Sequence, residues 1–227
     1  MKIVILAAGK GTRLGKKDVP KPLTLLANDK SILQQQIDNL SPHFPLHDII
    51  IVVGYRKELI MEVFPNLSFV ENPNFSQENT SKSLLRAIRS INEDVLWLNG
   101  DVVFHPNITQ KVIANGKTLM VVNKGAVGEE EVKYRTDSSG RIVEVSKQVV
   151  NPQGEALGIN FFKAKDLKIL CKHLDKCQNN DYFEKGIETA IQEGLEVWTL
   201  AVDQTECAEV DYPEDLARAN RLIKNWK

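Results

Sequence analysis

Short, uniformly apolar runs alternate along this chain with stretches whose apolar residues recur every three or four positions. That alternation constrains the fold more than any other feature. KIVILAA (2–8) and DIIIVVG (48–54) read as strands buried on both faces. Between them Ser31 opens a helix with Gln34 three residues on, the spacing of a capping box, and Leu33, Ile37 and Leu40 form its apolar stripe. A helix over about 56–64, a short strand at LSFVEN and a helical face at Leu84, Ala87, Ile88 and Ile91 follow. DVLWLNGD (94–101) and TLMVVN (118–123) are two further strands.

The pattern then changes. EVKYRTDSSGRIVEVSK holds two alternating runs around DSSG, a hairpin signature. EALGINFFKA adds a strand, followed by helices over about 165–177 and 182–193, the strand EVWTLAV and a last helix. That helix starts at Pro213, with Glu214 and Asp215 at its positive end. Repeated β-α-β units ahead of a hairpin predict an α/β fold. Its expected form is three layers, with a mixed, mainly parallel sheet, helices on both faces and a β-hairpin extension, as one domain over 1–227.

Charge and length narrow the partners. With 29 basic against 30 acidic residues the net charge is -1, so no global field draws the chain to nucleic acid or anionic membrane. The apolar runs fall far short of the ~20 residues of a membrane span, and MKIVILAAG is too short for a secretory leader. Cys171, Cys177 and Cys207 show no CxxC spacing, and Cys171 falls in the helical stripe Leu167, Leu170, Leu174. They are expected to be packing residues in a cytoplasmic protein. His43, His47, His105 and His173 lack metal-ligand spacing.

Directly after the first strand comes LAAGKGTRLG (6–15). The dinucleotide template Gly-x-Gly-x-x-Gly fits Gly9 and Gly11, but its third glycine is Leu14 here. The Walker template fails too, since its second glycine is Leu14 counted from Gly9 and Lys16 from Gly11. What survives is physical: a glycine-rich loop brings several backbone N–H groups to one anion. Lys10, Arg13, Lys16, Lys17 and Lys21 lie within this short stretch against one acid, Asp18. Such a cluster suits a triphosphate; the plain alternative is a tight turn with a solvated basic surface.

LAAGKGTRLG…VPKPLTLL closely resembles the L-A-A-G-x-G-[ST]-R-L…P-K signature of the nucleotidyltransferases that make nucleoside-diphosphate sugars and CDP-alcohols. ENTSKSLLRA, LWLNGDVVF, GRIVEVSK, EALGINFF and AEVDYPEDLARA are similar, in order, to further segments of that family, so the resemblance spans essentially the whole chain. It implies a Rossmann-like (GT-A-like) fold and transfer of a nucleoside monophosphate from a triphosphate, most simply CTP, to a phosphorylated small molecule. By resemblance the nucleotide would lie on Leu6, Ala7, Ala8, Gly9, Lys10, Gly11, Thr12, Arg13, Asn79, Ser83 and Gly100. Arg13 and Lys21 would serve the triphosphate, Lys147 the incoming phosphate, and Asp101 with Asp211 would hold Mg2+. Taken alone, Asp101 is equally a strand-ending turn residue and Asp211 a helix-start acid; Glu209, two residues before Asp211, would face the same side of an extended stretch.

Sugar-1-phosphate members often carry a further C-terminal domain. This chain stops one helix after EVDYPEDL and is therefore expected to resemble the compact cytidylyltransferases acting on phosphocholine, inositol phosphate or phosphonates. NTSKSL (79–84) agrees with their turn at Asn79, Ser83 and Leu84 but departs at Thr80 and at Lys82, where they have an aromatic. Lys82 at the acceptor would favour an extra anion. Tyr182 and Glu184 offer an aromatic and an acid for a cationic group, while Phe183, in stripe with Ile187, Ala190 and Ile191, reads as core. The rivals are a uridylyl- or thymidylyltransferase for a sugar 1-phosphate and a non-catalytic nucleotide-binding relative. A glycosyltransferase would carry Asp-x-Asp, and GDVVFH lacks the second acid. A homodimer stays open.

Overall fold

The computed structural model describes residues 1–14, 19–125 and 127–226. Lys16, Lys17 and Asp18 lie outside the described residues. The first strand, β1 (Lys2–Ala7), runs through the middle of the sheet with parallel neighbours on both sides, β2 (Ile49–Val53) and β4 (Val95–Asn99). β3 (Ser68–Glu71) extends the edge beyond β2, also in parallel. On the other side of β4 the direction reverses: β9 (Gly154–Phe162) is antiparallel to β4 and to β6 (Leu119–Val122), and β10 (Trp198–Ala201) closes that edge parallel to β6. The hairpin of β7 (Lys133–Thr136) and β8 (Ile142–Ser146) joins through β9. The sheet is thus mixed and mainly parallel, as the alternation predicts.

Period-two side-chain direction makes it three layers. Ile3, Ile5 and Ala7 pack into one core with α1 (Ile32–Leu40), α2 (Lys57–Val63) and α4 (Asn107–Asn115). Val4 and Leu6 pack into the opposite core with α3 (Thr80–Ile88), α5 (Ala164–Lys176) and α6 (Phe183–Gln192). The apolar runs of β1, β2 and β4 are continuous because both faces are covered. α1 begins where Ser31 accepts a hydrogen bond from the Gln34 amide at 3.1 Å, the forward half of the expected capping box. At the other core Phe183 is only 1% exposed and its ring stands perpendicular to that of Trp97, 5.7 Å away, so it is a core residue.

Three elements carry no clear sequence signal: α4, β5 (Val102–Phe104) and β11 (Cys207–Glu209). β5 and β11 pair antiparallel in a small separate sheet, and the last helix, α7 (Pro213–Asn225), packs against it through Ala219. A three-residue strand cannot announce itself by periodicity when its partner lies some hundred residues away. Among the described residues no helix is long and apolar enough to cross a membrane.

Candidate active site

The small β5–β11 sheet explains why two distant acids meet. Val102 pairs with Glu209, and the Val210 amide donates to the Asp101 carbonyl at 3.0 Å, which sets Asp101 beside Asp211. The turn carrying Asp101 is held from beneath by α1. Gln36 Nε2 donates to the carbonyls of Asn99 and Val102, at 2.8 Å each, and Asn39 Nδ2 donates to that of Phe104 at 2.7 Å. These two polar residues on an otherwise apolar face satisfy backbone acceptors that would be costly to bury unpaired. The Gly100 amide closes the turn on the Leu6 carbonyl at 2.9 Å, and a Cβ there would sit 2.7 Å from the same oxygen.

Above this floor opens a cleft of ≈ 440 Å3. Lys21 rises into it from a 3-10 turn flanked by Pro20 and Pro22. Its ammonium donates to Asp101 at 2.6 Å and to Asp211 at 2.7 Å, with only 9% of the side chain exposed. Burial alone would lower its pKa. The two carboxylates outweigh burial, and the pKa lies above the ordinary lysine value. Arg13 approaches Asp211 at 3.4 Å with its guanidinium over the Tyr212 ring. Asp101 also keeps an oxygen, Oδ1, buried without a partner among the described residues.

That geometry fits a divalent cation. Asp101 and Asp211 already converge on one positive charge, and Asp101 Oδ1 is a free hard oxygen. Among the described residues no three metal-binding side chains form a ready cage. A cation here would share its coordination with water and ligand oxygens, which is the habit of Mg2+.

The glycine loop forms the adjacent wall. Gly11 holds a left-handed φ of 57°, and a Cβ there would meet Lys21 Cβ at 2.5 Å, so the loop lies directly on the Lys21 stem. Among the described residues, the amides of Gly9, Lys10 and Gly11 donate to no protein acceptor. Successive amides of this kind beside two cations could receive an anion, as in a nest.

The cleft is also lined by Lys147, just past β8, and by the start of α6. The Lys147 ammonium lies 3.3 Å from Glu130 and 4.8 Å from the centre of the Tyr182 ring. Behind them three carboxyls are withdrawn from water. Burial pushes Glu184 to about 7, against the pull of Lys147; burial, with Glu131 nearby, pushes Glu155 to about 7. Glu209 lies well above the usual carboxylate range, through burial first and then Asp101 and its other acidic neighbours. Glu184 Oε2 has no partner among the described residues.

Of the expected site residues, the cleft brings together Leu6, Ala7, Gly9, Gly11 and Arg13 of the loop with Lys21, Gly100, Asp101, Lys147, Tyr182, Glu184, Glu209 and Asp211. Ala8, Lys10, Lys82, Ser83 and Asn79 do not line it. Lys82 donates instead to the carbonyls of Leu174 and Asp175 in the last turn of α5, at 3.2 and 3.0 Å. Ser83 accepts from Asn72 inside the core at 3.0 Å. Asn79 caps α3 and donates to the Asn180 carbonyl. Thr80, Glu155, Asp215 and Arg218 line the cleft beyond those expected. Only the i, i+3 spacing of Asp215 and Arg218, which puts both on one face of α7, was a usable signal.

The model of the MobA-like NTP transferase domain matches residues 3–151. "Bifunctional protein GlmU" of Methanococcus maripaludis strain C5 is 37% identical over 99% of this chain and 55% of its own length. CMP-5'-(3-aminopropyl)phosphonate synthase of Streptomyces rubellomurinus is 33% identical over 97% of this chain and 38% of its own. The chain thus spans about half the length, or less, of these curated relatives. The solved structure of CTP:phosphocholine cytidylyltransferase from Streptococcus pneumoniae superposes with a TM-score of 0.81 at 20% identity, covering 98% of each chain, and shares the fold.

Proposed function

The chain belongs to the MobA-like NTP transferase domain family, and on that premise we propose that it is a Mg2+-dependent cytidylyltransferase acting on a phosphate or phosphonate with a cationic tail. An oxygen of the acceptor phosphate attacks the α-phosphorus of CTP. The new P–O bond forms as the bond from the α-phosphorus to the bridging oxygen breaks, and pyrophosphate leaves. No proton transfer is obligatory, so positioning and charge neutralisation carry the catalysis.

The loop amides of 9–11 and Arg13 receive the departing β- and γ-phosphates. Lys21 lies between loop and floor, where it neutralises the reacting phosphate oxygens. Lys147 draws the acceptor phosphate into the cleft as a point charge, overcoming the repulsion between two anions. Mg2+ held by Asp101 and Asp211 supplies further charge neutralisation when bound. The observation that carries this reading is Lys21 clasped between two convergent carboxylates beside the glycine loop, in a cleft that Lys147 also lines.

The acceptor reading rests on charge. Acidic side chains outnumber basic ones around the cleft, although its ligands would be polyanions. Of these acids Glu184 is buried while Glu155 and Glu209 are half-buried, and Tyr182 and Tyr212 are exposed aromatics in the same lining. A cation on the acceptor would ionise these carboxyls and satisfy Glu184 Oε2. With Lys82 outside the cleft lining, the case for a second anion on the acceptor falls.

Pyrophosphate release is measured with CTP, UTP, dTTP, ATP and GTP, each against phosphocholine, an aminoalkylphosphonate, inositol phosphate and glucose 1-phosphate. Turnover with CTP and a cation-tailed acceptor is expected. Turnover confined to UTP or dTTP with glucose 1-phosphate would overturn both assignments.

A further inference from the structure

The turn opening α3 and the segment opening α6 are far apart in sequence and laced together in space. The Asn79 amide donates to the Asn179 carbonyl at 2.7 Å, and the Ser81 amide to that of Asp181 at 3.3 Å. The Phe183 amide donates to Thr80 Oγ1 at 3.0 Å, and Asn79 Nδ2 to the Asn180 carbonyl at 3.2 Å. Lys82 completes the set by donating to the carbonyls of Leu174 and Asp175 in the last turn of α5. A lysine there adds a donor to carbonyls of the last turn, of which that of Leu174 also accepts the Cys177 amide, and complements the negative helix end.

Tyr182 and Glu184, the two acceptor-side groups, flank the residue whose amide is tied to Thr80. Phe183 itself is pinned in the core against Trp97. The connection after α5 is tied to the α3 turn by these bonds, and Lys82 holds to α3 the helix end from which that connection departs.

We propose that Lys82 is a positioning residue for the acceptor: by clamping the end of α5 to α3 it holds Tyr182 and Glu184 at the acceptor wall without touching the acceptor. This inference rests on the nucleotidyl-transfer reading above. The loop amides, Arg13, Lys21 and the two aspartates lie on other elements, so the clamp acts on acceptor binding and leaves the triphosphate alone.

The test compares wild type, Lys82→Met and Lys82→Arg, with acceptor and CTP varied separately. Hydrogen exchange is followed in parallel on the free proteins. The clamp predicts that Lys82→Met raises the KM for acceptor about tenfold, the scale of losing one charge-assisted hydrogen bond, while the KM for CTP changes less than about twofold. Lys82→Arg, which keeps donors for the carbonyls, restores most of the acceptor KM. In Lys82→Met the amides of 179–183 exchange faster, while those of β1 and β4 do not.

Equal increases in both KM values would overturn the inference, as would faster exchange with an unchanged acceptor KM. A raised acceptor KM with unchanged exchange would also overturn it, since Lys82 would then touch the acceptor directly. If wild type turns over none of the substrates, the underlying reading fails; the exchange measurement still decides whether the clamp exists.

Discussion

Lys21 sits between Asp101 and Asp211 as a charge held in place by charge, and the three residues behave as one unit. Asp101→Asn and Asp211→Asn keep the size and hydrogen-bonding reach of the side chain but remove a hard anionic ligand. Each is expected to lower turnover at least about a hundredfold while circular dichroism and melting stay near wild type. Wild-type rates in both variants would remove the metal assignment. Glu184 makes a separate prediction. Its folded pKa of about 7 lies above the ordinary 4.5, so the folded state keeps a proton that the unfolded chain releases. Stability from this group is fully present below about 4.5 and is lost as pH rises through about 7. Glu184→Gln abolishes that loss. Its stability relative to wild type should therefore rise from pH 5 to pH 8, by at most about 3 kcal/mol. A pH-independent difference in denaturant melts would show that Glu184 is ionised in the folded protein.

At the scale of elements, the site depends on how loops lie on strand ends. Gly11 is the tightest case, with its left-handed φ and Lys21 Cβ in the space a side chain would need. Gly11→Ala should cost about 1–2 kcal/mol from the backbone conformation. Displacement of Lys21 should also cut kcat/KM for the triphosphate about tenfold or more, because small misplacements of a positioning group are expensive. A melting shift without a kinetic effect would show that the loop does not set Lys21. The glycine loop was legible in the sequence because glycines and cations cluster there. The β5–β11 sheet was not: two three-residue strands carry no period, and their pairing is a tertiary fact. Asp101 and Asp211 could therefore be named only by resemblance to a family motif, whereas the register of Val102 with Glu209 gives the physical reason they meet. Gln36 and Asn39 hid for a different reason. On the buried face of α1 they look like flaws in an apolar stripe until the carbonyls beneath them are seen.

Across the whole molecule, continuous apolar runs in the first strands and amphipathic stretches between them imply a sheet covered on both faces, and Ile3, Ile5 and Ala7 do oppose Val4 and Leu6 across β1. Hydrophobic periodicity reports burial, so it reads layers well and side-chain destinations on the surface poorly. That is why Phe183 is readable as core from its helical stripe, while Lys82, one turn into α3, looks like a cleft residue until the end of α5 is placed within its reach. The same limit applies to the cleft, whose lining gathers Lys147, Tyr182, Glu155 and Arg218 from separate elements. In the proposed reading triphosphate and acceptor share one cleft, so transfer would occur at the α-phosphorus, which faces the acceptor. Isotope transfer tests that directly, with CTP labelled at either the α- or the γ-phosphorus and turned over with the acceptor that supports release. Nucleotidyl transfer predicts that α-label appears in the acceptor product and γ-label only in pyrophosphate. Appearance of γ-label in the acceptor product would contradict it and make the protein a phosphoryl transferase.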